Sequence, residues 1–255
     1  MSKIKVFESI SEFIKYRKEN LAIKKIGFVP TMGALHPGHA SLLQQSASEN
    51  DVTILSIYVN PTQFDNPDDL KKYPRSWEAD LQLAEESGAQ IVVAPKYQEI
   101  YEDKYRYKIS ENEFSKILCG AHRPGHFDGV LTIVMKLLQI TRATKAYFGE
   151  KDYQQLKLIQ DMATSFFVNT EIVGCPTFRE KDGLAMSSRN IRLTEVGRKK
   201  APAIYQVLTQ AKNLELAAAQ LNEANIKVEY LEEHYGRRFI AAFIDEVRLI
   251  DNVKI

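Results

Sequence analysis

Short apolar runs recur through the first two-thirds of the chain, and the stretches between them carry helical periodicity. The runs are 26–30 (IGFVP), 52–59 (VTILSIYV), 91–94 (IVVA), 145–148 (KAYF) and 171–174 (EIVG). The first stops in proline, the second at Asn60-Pro61 and the third at Pro95. Continuous, β-branched runs of this length suit strands covered on both faces of a parallel sheet. Amphipathic helical stretches near 38–49, 76–87, 129–141 and 153–164 fall between them. Such alternation predicts an open α/β sheet with right-handed crossovers. The last third changes character. The alanine- and leucine-rich 195–221 predicts one long or two short helices, 226–235 a further helix, and 239–253 a small strand pair. The Cys175-Pro176 break sets a boundary between a larger domain, 1–177, and a smaller α+β C-terminal one, 178–255.

Composition narrows the functional classes. A chain of 255 residues can bury roughly 70–75% of its unfolded surface, so it needs no disulfide or metal to fold. Its only cysteines, Cys119 and Cys175, have no CxxC spacing, which fits a reducing compartment. The 34 basic residues nearly cancel 33 acidic ones, a net charge of +1, so no global field gathers nucleic acid or anionic lipid. Residues 1–10 lack the apolar region of a signal peptide. The most apolar run, 129–140, is too short to span a bilayer and contains Lys136. The expectation is a cytoplasmic protein with neither a nucleic-acid nor a membrane partner.

Ligands of open α/β sheets bind at the carboxyl ends of the strands, so the residues following each strand carry the functional information. After the first apolar run comes Thr31-Met32-Gly33-Ala34-Leu35-His36-Pro37-Gly38-His39, opening a helix. A helix start offers unpaired N–H groups and partial positive charge, and two imidazoles there can add donors to phosphate oxygens. After the second run, Asn60-Pro61-Thr62-Gln63 reads by default as a plain strand-ending turn, although its amides suit contacts to hydroxyls and carboxylates. After the fourth, Gly149-Glu150-Lys151-Asp152 enters a helix. Lys151 can serve as a point charge on phosphate, Asp152 can be an N-cap, and Gln155 lies one turn further in. Beyond the fifth, residues 179–200 hold seven Lys/Arg against three acids. Within that segment Ser187, Ser188 and Arg189 form a candidate polyphosphate clamp on a loop that Gly183 leaves free to move. Asp80 is a possible metal contact. The segment 103–108 (DKYRYK) predicts an exposed strand with alternating tyrosines.

Six segments, VPTMGALHPGH (29–39), VNPTQF (59–64), YPR (73–75), RPGHFDGV (123–130), FGEKDYQQL (148–156) and DGLAMSSRN (182–190), together resemble the pantothenate synthetase (pantoate–β-alanine ligase) family, in its order and spacing. HPGH and MSSRN also resemble the HIGH and KMSKS signatures of the wider nucleotidyltransferase superfamily. A different nucleotidylyltransferase of that superfamily is the alternative, but it gives no reason for Gln63 and Gln155.

The resemblance implies a Rossmann-like parallel sheet flanked by helices, a smaller C-terminal lid domain and a homodimer joined through the larger domain. It implies ATP-dependent condensation of pantoate with β-alanine through a pantoyl adenylate, with Mg²⁺. Carried over by position, Met32, Gly33, Ala34, Leu35, His36, Pro37, Gly38 and His39 would line the ATP site, His39 as a proton donor. Gly149, Glu150, Lys151 and Asp152 would hold the ribose and phosphates, and the Phe178 backbone would meet adenine. Met186, Ser187, Ser188 and Arg189 would close over the triphosphate. Gln63 would contact pantoate and β-alanine, and Gln155 pantoate. His36, His39, Lys151 and Arg189 are the groups expected to act on the reacting phosphates. The C-terminal part matches the family loosely until Arg248-Leu249-Ile250-Asp251-Asn252.

Overall fold

A computed structural model describes residues 4–255. Among the described residues the strands are β1 (Lys5–Phe7), β2 (Ile26–Thr31), β3 (Val52–Ile57), β4 (Ile91–Val93), β5 (Lys145–Gly149), β6 (Glu171–Cys175), β7 (Lys227–His234), β8 (Arg237–Ile244) and β9 (Val247–Lys254). The first six form one sheet in the order β1-β4-β3-β2-β5-β6, every pair parallel. The last three form an antiparallel sheet.

The period-2 alternation of a strand puts neighbouring residues on opposite faces, and here both faces are apolar. Phe28, Ile54, Ala146 and Phe148 pack with Phe13, Leu131, Leu138 and Ile159 from the helices Ile10–Asn20, His126–Thr141 and Tyr153–Ser165. Val29, Leu55, Val92 and Tyr147 face the other way, onto Leu42, Leu43 and Ala84 from the helices Pro37–Glu49 and Trp77–Glu86. Each large side chain so covered contributes roughly 1.5–3 kcal/mol, which holds the layers together and fixes the strand ends. In β8 the same alternation joins the two sheets. Phe239 and Ala241 belong to the cluster around the parallel sheet, while Ile240 and Ala242 pack with Leu184, Ile204, Leu208 and Leu221.

Strand order reverses between β2 and β5: β2 continues to β3 on one side, and β5 to β6 on the other. Such a switch point opens a crevice at the carboxyl ends of the two strands, here the loops beginning at Met32 and Glu150.

Three sequence expectations are corrected. The stretch 226–235 holds a strand, β7, in place of a helix, because β7 and β8 make a hairpin whose turn, Tyr235-Gly236, has φ of 51° and 67°; a two-residue turn with both φ positive matches strand twist. Residues 103–108 are turn and irregular backbone rather than strand, Lys104 and Tyr105 both being left-handed at φ 55° and 60°. The stretch 195–221 divides into the helices Glu195–Lys200, Pro202–Gln210 and Leu214–Glu223. β1 and the helix Ile10–Asn20 precede the first anticipated strand. No helix of the described residues is long and apolar enough to cross a membrane.

Candidate active site

A cleft of about 740 Å³ lies over the switch point. Its walls bring together Met32, His36, Gly38, His39, Gln63, Gly149, Lys151, Asp152, Gln155, Phe178, Met186, Ser187, Ser188 and Arg189, which four separate loops supply. Of the anticipated residues, Gly33, Ala34, Leu35, Pro37 and Glu150 do not line it.

The two histidines hold each other at the start of the helix Pro37–Glu49. His36 Nδ1 accepts from the Gly38 N–H at 3.2 Å, His39 Nδ1 accepts from the His36 N–H at 3.3 Å, and the ring centroids are 4.0 Å apart. A neutral imidazole has one donor and one acceptor nitrogen. With both Nδ1 atoms accepting, both protons sit on Nε2. Burial, then Lys151, lowers the His36 pKa from 6.5 to about 4. Burial, then His36 and Lys151, lowers that of His39 to about 3. The pair is therefore two neutral N–H donors at a helix N-terminus, a set matched to anionic oxygens.

Asp80 does not face the cleft. Its carboxylate accepts from the N–H groups of Ala34 and Leu35 at 2.9 and 2.8 Å and from the Ser76 hydroxyl at 2.9 Å. These bonds offset a left-handed Ala34 at φ 50°, a conformation costing an L-residue about 1–2 kcal/mol. Asp80 thus shapes the turn that delivers His36, and no cluster of three His, Cys, Asp or Glu side chains able to hold a metal occurs among the described residues.

Asn60-Pro61-Thr62-Gln63 is more than a plain turn. Asn60 is buried; its amide donates to Gly129 O and Gln63 Oε1, both at 3.2 Å, and its oxygen accepts from the Tyr101 and Thr62 hydroxyls at 2.9 and 3.0 Å. This fixes the Gln63 amide with its NH₂ toward Met32 Sδ at 3.1 Å. The Gln63 carbonyl accepts from His126 Nδ1 at 2.7 Å and Arg123 Nη2 at 3.3 Å. The turn sits directly on the helix His126–Thr141 because residue 129 is glycine; a Cβ there would meet Thr62 O at 2.4 Å and Gln63 N at 2.6 Å.

On the β5 side, two adjacent glutamines divide the work. Buried Gln154 bonds to Cys119 N, Phe114 O and Ile117 O, while Gln155, half-buried, lines the cleft. Lys151 stands 3.7 Å from Asp152, and no side-chain cap bond forms at Asp152.

Opposite these loops the basic 179–200 segment is largely ion-paired. Arg179 makes two bonds to Asp251, at 2.7 and 2.9 Å, and Arg198 binds Glu180 and Asp182, each at 2.6 Å. Arg189 and Arg192 reach across to Asp69 at 2.8 and 3.2 Å. Burial opposes ionisation of Asp69, but the two arginines outweigh it and its pKa is lowered. The sequence gives no sign of Asp69, and it shows Asp251 and Asn252 only as part of the family-like 248–252 segment, because the cleft loops these three residues bind lie more than 70 residues away in the chain.

Sheet order, switch-point cleft and histidine-capped helix define an α/β enzyme of the Rossmann-like class. Comparison with known proteins narrows this class. The chain belongs to the pantoate-beta-alanine ligase family, whose model matches residues 5–254. It is 56% identical over 250 residues to the pantothenate synthetase of Bdellovibrio bacteriovorus, covering 98% of this chain and 99% of that protein. It is 50% identical over 249 residues to that of Legionella pneumophila, covering 98% and 99%. Among solved structures, the pantoate-beta-alanine ligase of Francisella tularensis, complexed with beta-gamma ATP and beta-alanine, superposes with a TM-score of 0.93 at 44% identity, covering 98% of this chain and 97% of that one. Pantothenate synthetase from Thermus thermophilus gives 0.91 at 35% identity, covering 98% and 99%. The C-terminal part belongs to the same likeness, since the family model extends to residue 254 and each of these relatives covers 98% of the chain.

Proposed function

We propose that this chain performs the reaction for which its family is named, joining pantoate to β-alanine with ATP cleaved to AMP and diphosphate. The observation that carries the residue-level reading is the convergence of the His36–His39 pair, Lys151 and the Arg189 loop on one cleft, with Gln63 and Gln155 beside them. In the first step the pantoate carboxylate attacks the α-phosphorus and diphosphate leaves. That nucleophile is already ionised at neutral pH and needs no base. The step needs alignment and compensation of growing negative charge, to which Lys151, Arg189 and the two Nε2–H donors are suited. His39 is placed to share a proton with a phosphate oxygen rather than to hold a permanent charge. Gln63 and Gln155 bind pantoate, and Gln63 also meets β-alanine. Adenine rests on the Phe178 backbone, whose carbonyl accepts from the Met186 N–H at 2.9 Å. In the second step the neutral β-alanine amine attacks the acyl carbon and AMP leaves, with the closed cleft excluding water that would hydrolyse the mixed anhydride.

Mg²⁺ belongs to the same reading. With no carboxylate cage among the described residues, the site fits a cation that enters on the triphosphate and keeps much of its water. Bound there, it would neutralise phosphate charge. A homodimer joined through the larger domain, residues 178–255 acting as a lid, and a cytoplasmic location complete the proposal.

The test is ATP–diphosphate exchange with pantoate and Mg²⁺ present and β-alanine absent. Pantoate-dependent exchange is expected; well-folded protein without exchange would overturn the adenylate reading and direct the search to other acceptors. Lys151→Ala and His39→Ala should each slow exchange roughly 10²–10³-fold, the usual cost of one preorganised electrostatic contact. Near wild-type rates in both would sink the assigned roles.

A further inference from the structure

β9 borders the cleft, and two consecutive residues on it hold the turn that carries Lys151 and the loop that carries Arg189. Asn252, buried, donates one amide hydrogen to the Glu150 carbonyl at 2.8 Å and the other to the Lys151 carbonyl at 2.9 Å. Its own oxygen accepts from Arg237 Nη1 at 2.6 Å, which settles which way the amide points. Arg237 in turn lies 4.1 Å over the Tyr153 ring and pairs with the Glu150 carboxylate. The neighbouring Asp251, also buried, accepts two bonds from Arg179, at the root of the 179–192 loop, and its Oδ1 receives the Asn252 N–H at 2.7 Å.

We propose that Asn252 is a positioning residue for Lys151, and that the Asp251-Asn252 pair sets the spacing between the lysine turn and the arginine loop across the cleft. The proposal rests on the role given to Lys151 above. A lysine on a strand-to-helix turn is only as well aimed as its backbone. Here the Glu150 and Lys151 carbonyls both accept from a single side-chain amide. Besides this amide, the turn is held by the Arg237–Glu150 pair and by the β5–β6 ladder that ends at Gly149, and Asp152 adds no side-chain capping bond. An aspartate would set an oxygen against two carbonyl oxygens, and a leucine would remove both bonds.

The experiment compares exchange rates of the full chain and its variants Asn252→Asp, Lys151→Ala and the double variant. Asn252→Asp is expected to lower kcat for exchange about tenfold to a hundredfold, as loss of an outer support for an active group does, with KM for pantoate unchanged. Because Asn252 acts through Lys151, the double variant should be no slower than Lys151→Ala alone; a merely structural loss would instead multiply the two effects. Arg237→Gln, which removes the group orienting the amide together with its Glu150 pair and its stacking on Tyr153, supplies a milder loss of the same kind should Asn252→Asp fail to fold. Wild-type exchange in the folded Asn252 or Arg237 variant beside an impaired Lys151→Ala, or full multiplication in the double variant, would overturn the proposal. Wild-type exchange in Lys151→Ala would remove the lysine role itself, and the proposal with it.

Discussion

A histidine is usually discussed as a charge that switches near neutrality. His36 and His39 are held instead as neutral donors, because each Nδ1 is occupied by a backbone N–H and each half-buried ring lies beside another positive or polar group. His126 joins them. Its Nδ1 donates to Gln63 O and its Nε2 faces the Arg123 guanidinium, and burial, then Arg123, lowers its pKa to about 4. All three folded-state pKa values lie below the ordinary 6.5. Between roughly pH 4 and 6.5 the unfolded chain therefore binds protons that the folded chain does not. Stability from these rings is complete above pH 6.5 and falls as the pH drops through that window. Ring-proton NMR should find the three residues untitrated from pH 8 to 6, and urea midpoints should decline below pH 6.5. A ring that titrates near 6.5 in folded protein would contradict the assigned bonds.

At the scale of elements, the sequence was readable where one strand or helix is sufficient to itself. The five apolar runs became β2 to β6 because parallel strands covered on both faces need no pattern beyond continuity. The loops after them were readable for the same reason, as their chemistry follows directly in the chain. β7 was misread because its leucine and glutamates have helical propensity, and what makes it a strand is its pairing with β8 through Tyr235-Gly236. Likewise nothing local distinguishes Gln154, buried in the core, from Gln155 in the cleft. The role of Gly129 emerges only from the packing of a helix against a turn more than 60 residues earlier. Gly129→Ala should push the 61–63 turn off that helix, at a cost of about 1–3 kcal/mol for the forced overlap. Because the turn carries Gln63, KM for pantoate should rise roughly tenfold or more, the effect of about 1.4 kcal/mol lost from one contact. Unchanged pantoate kinetics in this variant would mean that the turn moves freely without harming the site.

Across the whole molecule, Asp69 and the Arg189–Arg192 pair form a tether from one wall of the cleft to the other. Asp69 thus competes with any polyphosphate for Arg189. Asp69→Asn should leave the arginine uncompensated and tighten ATP binding by up to about fivefold, the scale of a partly exposed ion pair; calorimetric titration reads this directly, and weaker binding would show that Asp69 aims the arginine instead. A second consequence concerns when the cleft comes into being. Its parts come from near residues 36, 151, 189 and 252, and β2 meets β5 by pairing Gly27 with Lys145. Such distant pairings form late and slowly. A refolding chain therefore has no place for nucleotide while its early helices collapse, and added ATP should increase the final yield without hastening the first phases.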